Sequence, residues 1–142
     1  MSDDRILDRE AELVDEFSLF DNWMDRYQYL IDLGRQLPAY PESERRDDDK
    51  VSGCQSQVWL QASGDASKMN FRAISDAAIV SGLIAVLLRL YDGQSATEIV
   101  GYEPTFISKL GLDTHLSQSR ANGLHAMLQR IRATAAHAGT GG

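Results

Sequence analysis

Cys54 is the only cysteine among 142 residues, and it stands inside the stretch Val51-Ser52-Gly53-Cys54-Gln55-Ser56-Gln57-Val58-Trp59. A lone cysteine is either a small buried hydrophobe or a reactive nucleophile. Its neighbours favour the second role: Gly, Gln, Ser and Gln are poor core material, yet all can hydrogen-bond a sulfur or line a small polar pocket. Gly53 frees the backbone for a positive φ or a close approach, and the run from Gln57 onward reads as a strand. The thiol is therefore expected at a loop tip, where it can be presented to another molecule.

Other chemistries that a thiol could join are poorly served. A cysteine–histidine hydrolase needs a base within hydrogen-bond reach of the sulfur and a third group to orient it, and nothing in the spacing of His115, His125 or His137 provides this. One cysteine without a His-x-x-x-His pair leaves too few ligands for a structural zinc or an iron–sulfur cluster, so no metal is expected. No Gly-rich phosphate loop is present; residues 139–142 read as a terminal tail.

The elements that must position Cys54 follow from periodicity. Ile6, Leu7, Leu13, Val14 and Phe17 recur at helical spacing among acidic residues, which predicts a peripheral first helix. Asp21 is expected to cap a second helix with Trp23, Tyr27, Leu30, Ile31 and Gly34 on one face and Pro38 at its end. From Pro38 to Lys50 two prolines and a charge run predict an exposed connection. Two short strands, Val58 to Ala62 and Met69 to Ile74, are joined by a turn around residues 63–67, and Val51 leads in to make a third. Ser75 or Asp76 is expected to cap a helix from Ala77 to Tyr91 that is apolar almost all round and hence central. Two short helices follow, one from Ala96 to Val100 and one from Pro104 to Leu110, expected to pack the ends of the sheet. The last helix starts near Ser117 or Ser119, shows Leu124, Met127, Leu128 and Ile131 on one face, and frays from Ala133. The fold class is thus α+β: a small antiparallel three-stranded sheet packed with about five to six helices. It forms one domain over 1–142, with its core at about 12–136 and a flexible tail at 137–142.

Composition narrows the function classes. Hydrophobic residues at 43% and charged residues at 25% lie in the globular range. A formal charge of −7 argues against nucleic acid, because phosphate recognition needs clustered Lys and Arg. No apolar run reaches the ~20 residues of a membrane span, and the acidic start lacks the basic and apolar parts of a secretory signal. With one unpaired cysteine, a reducing compartment and a cytoplasmic location are expected.

The segment Gly53-Cys54-Gln55-Ser56-Gln57-Val58-Trp59 resembles the cysteine loop of the SufE sulfur-acceptor proteins. Further blocks fall in the same order: Trp23, Tyr27 and Leu33-Gly34-Arg35-Gln36-Leu37-Pro38 upstream, then Ser75-Asp76-Ala77-Ala78-Ile79-Val80, Gly82-Leu83-Ile84-Ala85-Val86, Leu116-Ser117-Gln118-Ser119-Arg120 and Gly123-Leu124. The resemblance spans roughly residues 12 to 136 and implies a SufE/IscU-like fold.

It also implies a role. Cys54 would carry a persulfide, with Gly53, Gln55, Ser56 and Gln57 as its supporting loop. Arg120 and Asp76 would lie beside that loop, Arg120 being the cation available to lower the thiol pKa. Asp76 is otherwise a helix cap, and Arg120 otherwise a surface residue in a first helical turn. The chain would have no cofactor of its own. It would take sulfur from a pyridoxal-phosphate cysteine desulfurase (SufS-like), stimulate that enzyme, and pass the sulfur to an iron–sulfur scaffold complex (SufBCD-like). It would be a transfer partner and activator rather than an independent catalyst, as a monomer or homodimer. The alternative is a related CsdE-like acceptor serving another desulfurase and feeding other pathways such as tRNA modification; Gln55, Ser56 and Gln57 resemble the SufE version more. A thiol hydrolase using His115 or His125 and a binding module with an inert cysteine are the readings from other classes. A carrier should also shelter its sulfur, so Cys54 is expected to be partly shielded in the free protein.

Overall fold

The computed structural model describes residues 5–140; residues 1–4 and 141–142, and with them the readings of the acidic start and of the extreme tail, lie outside it. In chain order the elements are α1 (Ile6–Phe17), α2 (Trp23–Arg35), two 3-10 turns (Glu42–Glu44 and Asp47–Asp49), β1 (Val58–Asp65), β2 (Lys68–Ser75), α3 (Ala78–Tyr91), α4 (Ala96–Gly101), α5 (Phe106–Lys109), α6 (Leu112–His115) and α7 (Gln118–Thr140). The α+β class is as expected, with seven helices among the described residues, two of them four residues long.

The sheet has two strands, not three. β1 and β2 form an antiparallel hairpin in the register Val58↔Ser75 through Asp65↔Lys68. The strands run longer than expected, because the turn is only Ala66-Ser67: the Asp65 carboxylate accepts from the Ser67 N–H at 2.9 Å and the Lys68 N–H at 3.3 Å, and so shapes the turn itself. Alternation places Val58, Leu60, Met69, Phe71 and Ala73 on the buried face. The expected third strand is reduced to a bridge between Lys50 and Trp59 with Val51 N–H donating to Val58 O at 2.9 Å. The 3-10 turn Asp47–Asp49 precedes this pair and the cysteine loop follows it, so no extended run is left to continue the ladder. The far edge of β2 is covered by residues 92–94: Met69 N–H donates to Gln94 O at 2.8 Å and Phe71 N–H to Asp92 Oδ1 at 2.7 Å.

α3 is the central helix, with Val80, Leu83, Ile84, Val86, Leu87, Leu90 and Tyr91 all buried. α2 crosses it at backbone contact. A Cβ on Gly82 would lie 2.3 Å from Leu30 O and one on Gly34 2.7 Å from Gly82 N, so both positions need the missing side chain. The cap of α2 is Asn22, not Asp21: its Oδ1 accepts from Asp25 N–H at 2.9 Å.

α1 is not peripheral. Ile6, Glu10, Leu13 and Phe17 form one stripe at helical spacing, and all four are buried. Glu10 is accommodated because Tyr102 OH, Thr105 Oγ1 and Lys109 Nζ donate to its carboxylate at 2.7, 2.5 and 3.3 Å. The charge run is likewise more than a solvated loop. Tyr40 is buried, Gln61 Nε2 donates to Asp49 Oδ2 at 3.0 Å, Arg72 pairs with Glu44, and Arg45 lies over the Trp59 ring at 5.4 Å. This clamps residues 40–50 onto the outer face of the hairpin.

α4 packs mainly on α7 and meets the hairpin at its tip, where Ala96 N–H donates to Ala66 O at 2.8 Å; α5 packs mainly on α6 and α1 rather than on a sheet end. α7 continues to Thr140 where a tail is expected, with Ala135 fully buried and Ala138 against the core. No helix of the described residues is long and apolar enough to cross a membrane.

Candidate functional site

The cysteine loop is a short excursion between two fixed ends. On one side Val51 is tied to Val58; on the other the Gln57 N–H donates to Asp76 Oδ1 at 3.2 Å, at the entry to α3. Between them the chain reverses at Gly53, whose φ of 90° lies in the left-handed region that suits glycine. The open side of Gly53 faces Ala126 on α7. The loop therefore leans on α7, and Cys54 points between α3 and α7.

Cys54 is half-buried and packs against the core. Its S–H donates to the Gly123 carbonyl with Sγ 3.7 Å from the oxygen, a weak bond to the backbone of α7. It faces a pocket of about 280 Å³ whose walls include Gln55 and Ser56 from the loop, Ala77, Val80 and Leu83 from the start of α3, and Arg120, Gly123 and Met127 from α7. Burial pushes the thiol pKa up from its ordinary value. At neutral pH the resting group is a protonated, weakly nucleophilic thiol.

The candidate residues separate into three groups. Gln55, Ser56 and Arg120 share the pocket with Cys54. Gly53 and Gln57 shape the loop through the backbone, and neither residue is part of the pocket wall. Asp76 does not cap α3: the residue at that position is Ala77, whose N–H donates to Ser75 Oγ at 3.2 Å. The Asp76 carboxylate instead holds the loop from behind.

Arg120 lines the pocket from α7. Its guanidinium is exposed and forms no ion pair or side-chain hydrogen bond among the described residues, and the thiol pKa moves up through burial alone rather than down. The histidines lie elsewhere: His115 stacks on Trp23 with ring centroids 4.1 Å apart, and His125 is exposed on α7. No histidine lines the pocket, so the base that a hydrolase requires is missing from it.

Sequence reasoning did not single out Gly123, Ala77, Val80, Leu83 or Met127 as site residues. The apolar ones carry no local signal, since they read as core. Gly123 carried one: a glycine inside a helix lowers its stability by about 1 kcal/mol against alanine, which calls for a packing or functional reason.

Comparison with known proteins gives a consistent pattern. A family model described as SufE, Fe-S metabolism associated domain, matches residues 11–135. An uncharacterized SufE-like protein of Rhizobium meliloti is 46% identical over 129 residues, covering 87% of this chain and 92% of the relative. One from Rhizobium etli is 46% identical over 126 residues, covering 85% of each. Among solved structures, the solution structure of a hypothetical protein from Thermus thermophilus superposes with a TM-score of 0.75 at 22% identity, covering 93% of this chain and 96% of that one; at this identity the likeness concerns the fold.

Proposed function

The chain belongs to the SufE family, whose domain is associated with Fe–S metabolism, and from that premise we propose that Cys54 is a sulfur acceptor for a cysteine desulfurase. The observation that carries this reading is the placement of the sole thiol: at the tip of a loop fastened at both ends and weakly bonded to α7, half-buried against a pocket of mixed polar and apolar lining, with no histidine in its wall. A thiol with a raised pKa and no partner base is not poised for hydrolysis. It is suited to hold a group that another protein delivers.

The transfer balances without an oxidant. The Cys54 thiolate attacks the outer sulfur of the desulfurase persulfide, and a new S–S bond forms at Cys54. The donor S–S bond breaks, and its electron pair leaves with the desulfurase sulfur as a thiolate. The proton lost from Cys54 passes to solvent or to that leaving thiolate. The partner's pyridoxal phosphate supplies the chemistry that frees sulfur from cysteine; this chain needs only to bring its thiol into reach. Because the resting thiol is half-buried, docking must turn the loop outward before attack. The loaded sulfur then goes to an iron–sulfur scaffold, and removal of the persulfide stimulates the desulfurase.

Mass spectrometry after incubation with a cysteine desulfurase and free cysteine tests the reading. One added sulfur on the wild-type chain, absent from Cys54→Ser, is the expected result. An unmodified thiol despite intact docking would leave an inert binding module.

A further inference from the structure

Gly123 is a buried glycine in the second turn of α7, and its empty side faces the sulfur. A Cβ built there would meet one heavy atom outside its own helix within 4 Å, Cys54 Sγ at 3.7 Å. Gly123 is part of the pocket wall. The same residue accepts the thiol S–H through its carbonyl. Helix stability would favour alanine here by about 1 kcal/mol, so the missing methyl is not explained by the helix.

Taking the sulfur-carrier reading as its basis, we infer that Gly123 is a positioning residue for the loaded state, leaving free the space in which the outer sulfur of Cys54-S-SH rests. On loading, the outer sulfur replaces the thiol proton on Sγ. That proton points toward Gly123. A sulfur bonded at ~2.05 Å therefore lies on the Gly123 side, and a rotation about Cβ–Sγ swings it clear of the carbonyl oxygen into the space a side chain would fill. The pocket of about 280 Å³ has room for it, against the ~30 Å³ share of one water molecule in the liquid. An alanine methyl at 123 makes only ordinary contact with the empty thiol and crowds the loaded one. Gly123 thus discriminates between the two states of the same cysteine.

The single cysteine makes the test direct in the full chain. Inorganic polysulfide loads the thiol: Cys54 thiolate attacks a polysulfide sulfur, an S–S bond of the polysulfide breaks, and the shortened polysulfide leaves with the electron pair. After desalting, cyanide removes the outer sulfur as thiocyanate, which is measured against time. The readout is the rate of this loss divided by the rate at which iodoacetamide alkylates the empty thiol. General loosening of the loop raises both rates together and leaves the ratio as in wild type. Loss of the resting space raises the ratio, and for Gly123→Ala about a tenfold rise is expected, the rate factor of ~1.4 kcal/mol in a barrier. Gly123→Ser, read the same way, guards against an effect peculiar to one variant. A wild-type ratio in both variants, or a wild-type thiol that polysulfide cannot load, overturns the inference. A wild-type chain that polysulfide loads but a desulfurase with free cysteine does not would remove the acceptor reading, while the ratio still decides the role of Gly123.

Discussion

The backbone N–H of Gln57 and the Asp76 carboxylate, 19 positions apart in sequence, meet at 3.2 Å and fasten the cysteine loop to the start of α3. The opposite end is fixed by the Val51–Val58 pair, and between the two the Cys54 bond to Gly123 O is the hydrogen bond that holds the tip among the described residues. Loop mobility is therefore set by few contacts. Asp76→Ala removes one of them. A surface hydrogen bond of this kind contributes about 0.5–1.5 kcal/mol, so alkylation of Cys54 is expected to quicken by about twofold to tenfold with little change in global stability. An unchanged alkylation rate would show that Asp76 does not restrain the loop.

The raised pKa of Cys54 sets a pH dependence. Alkylation should follow a titration whose midpoint lies above that of an ordinary thiol, because burial disfavours the thiolate. Stability is linked to the same shift: the folded pKa exceeds the unfolded one. The contribution is fully present below the unfolded value and is lost as pH rises through the folded one. Denaturation curves across the alkaline range should show this loss in wild type and not in Cys54→Ser.

Arg120→Ala separates pocket lining from charge coupling. Burial alone accounts for the direction of the Cys54 shift, so the alkylation midpoint is expected to stay where it is. A clear upward movement in this variant would mean that the guanidinium stabilises the thiolate after all.

Glu10 gives the opposite pH behaviour. Burial by itself would push its carboxyl up, but hydrogen bonds from Thr105, Tyr102 and Lys109 outweigh it and hold the pKa below the ordinary glutamate value. Its stabilisation is present above the unfolded pKa and lost as pH falls through the lower folded value. Glu10→Leu should cost about 1–3 kcal/mol at neutral pH by leaving the Tyr102 and Thr105 hydroxyls without an acceptor. It should also flatten the acid limb of the stability profile, measured by urea denaturation. A variant as stable as wild type would show that the three donors find other partners.

Gly82→Ala probes the helix crossing that supports the pocket wall. Its methyl would sit 2.3 Å from the Leu30 carbonyl, a backbone atom that no rotamer change can move. The expected loss is about 3 kcal/mol or more in chemical denaturation. A loss no larger than a surface substitution would mean that α2 slides on α3 without penalty.

Local order is legible in the sequence. The apolar run that becomes α3, the alternation of β1 and β2, and the Gly53 reversal before Cys54 all follow from preferences acting over a few residues, which composition and period reveal. What the sequence by itself determined is the α+β class, the two strands, the longer helices and the place of Cys54 in the loop ahead of β1. Tertiary packing decided the rest. Glu10 is buried because Tyr102, Thr105 and Lys109 arrive from more than ninety positions away, and Asp76 became a loop tether instead of a cap because Gln57 presented its N–H there. The third strand dwindled to a bridge because a 3-10 turn took up the chain ahead of it. The cause is the same throughout: hydrogen bonding and burial are satisfied by whichever group comes within reach in space. Residue types constrain that choice only weakly until the chain has closed on itself.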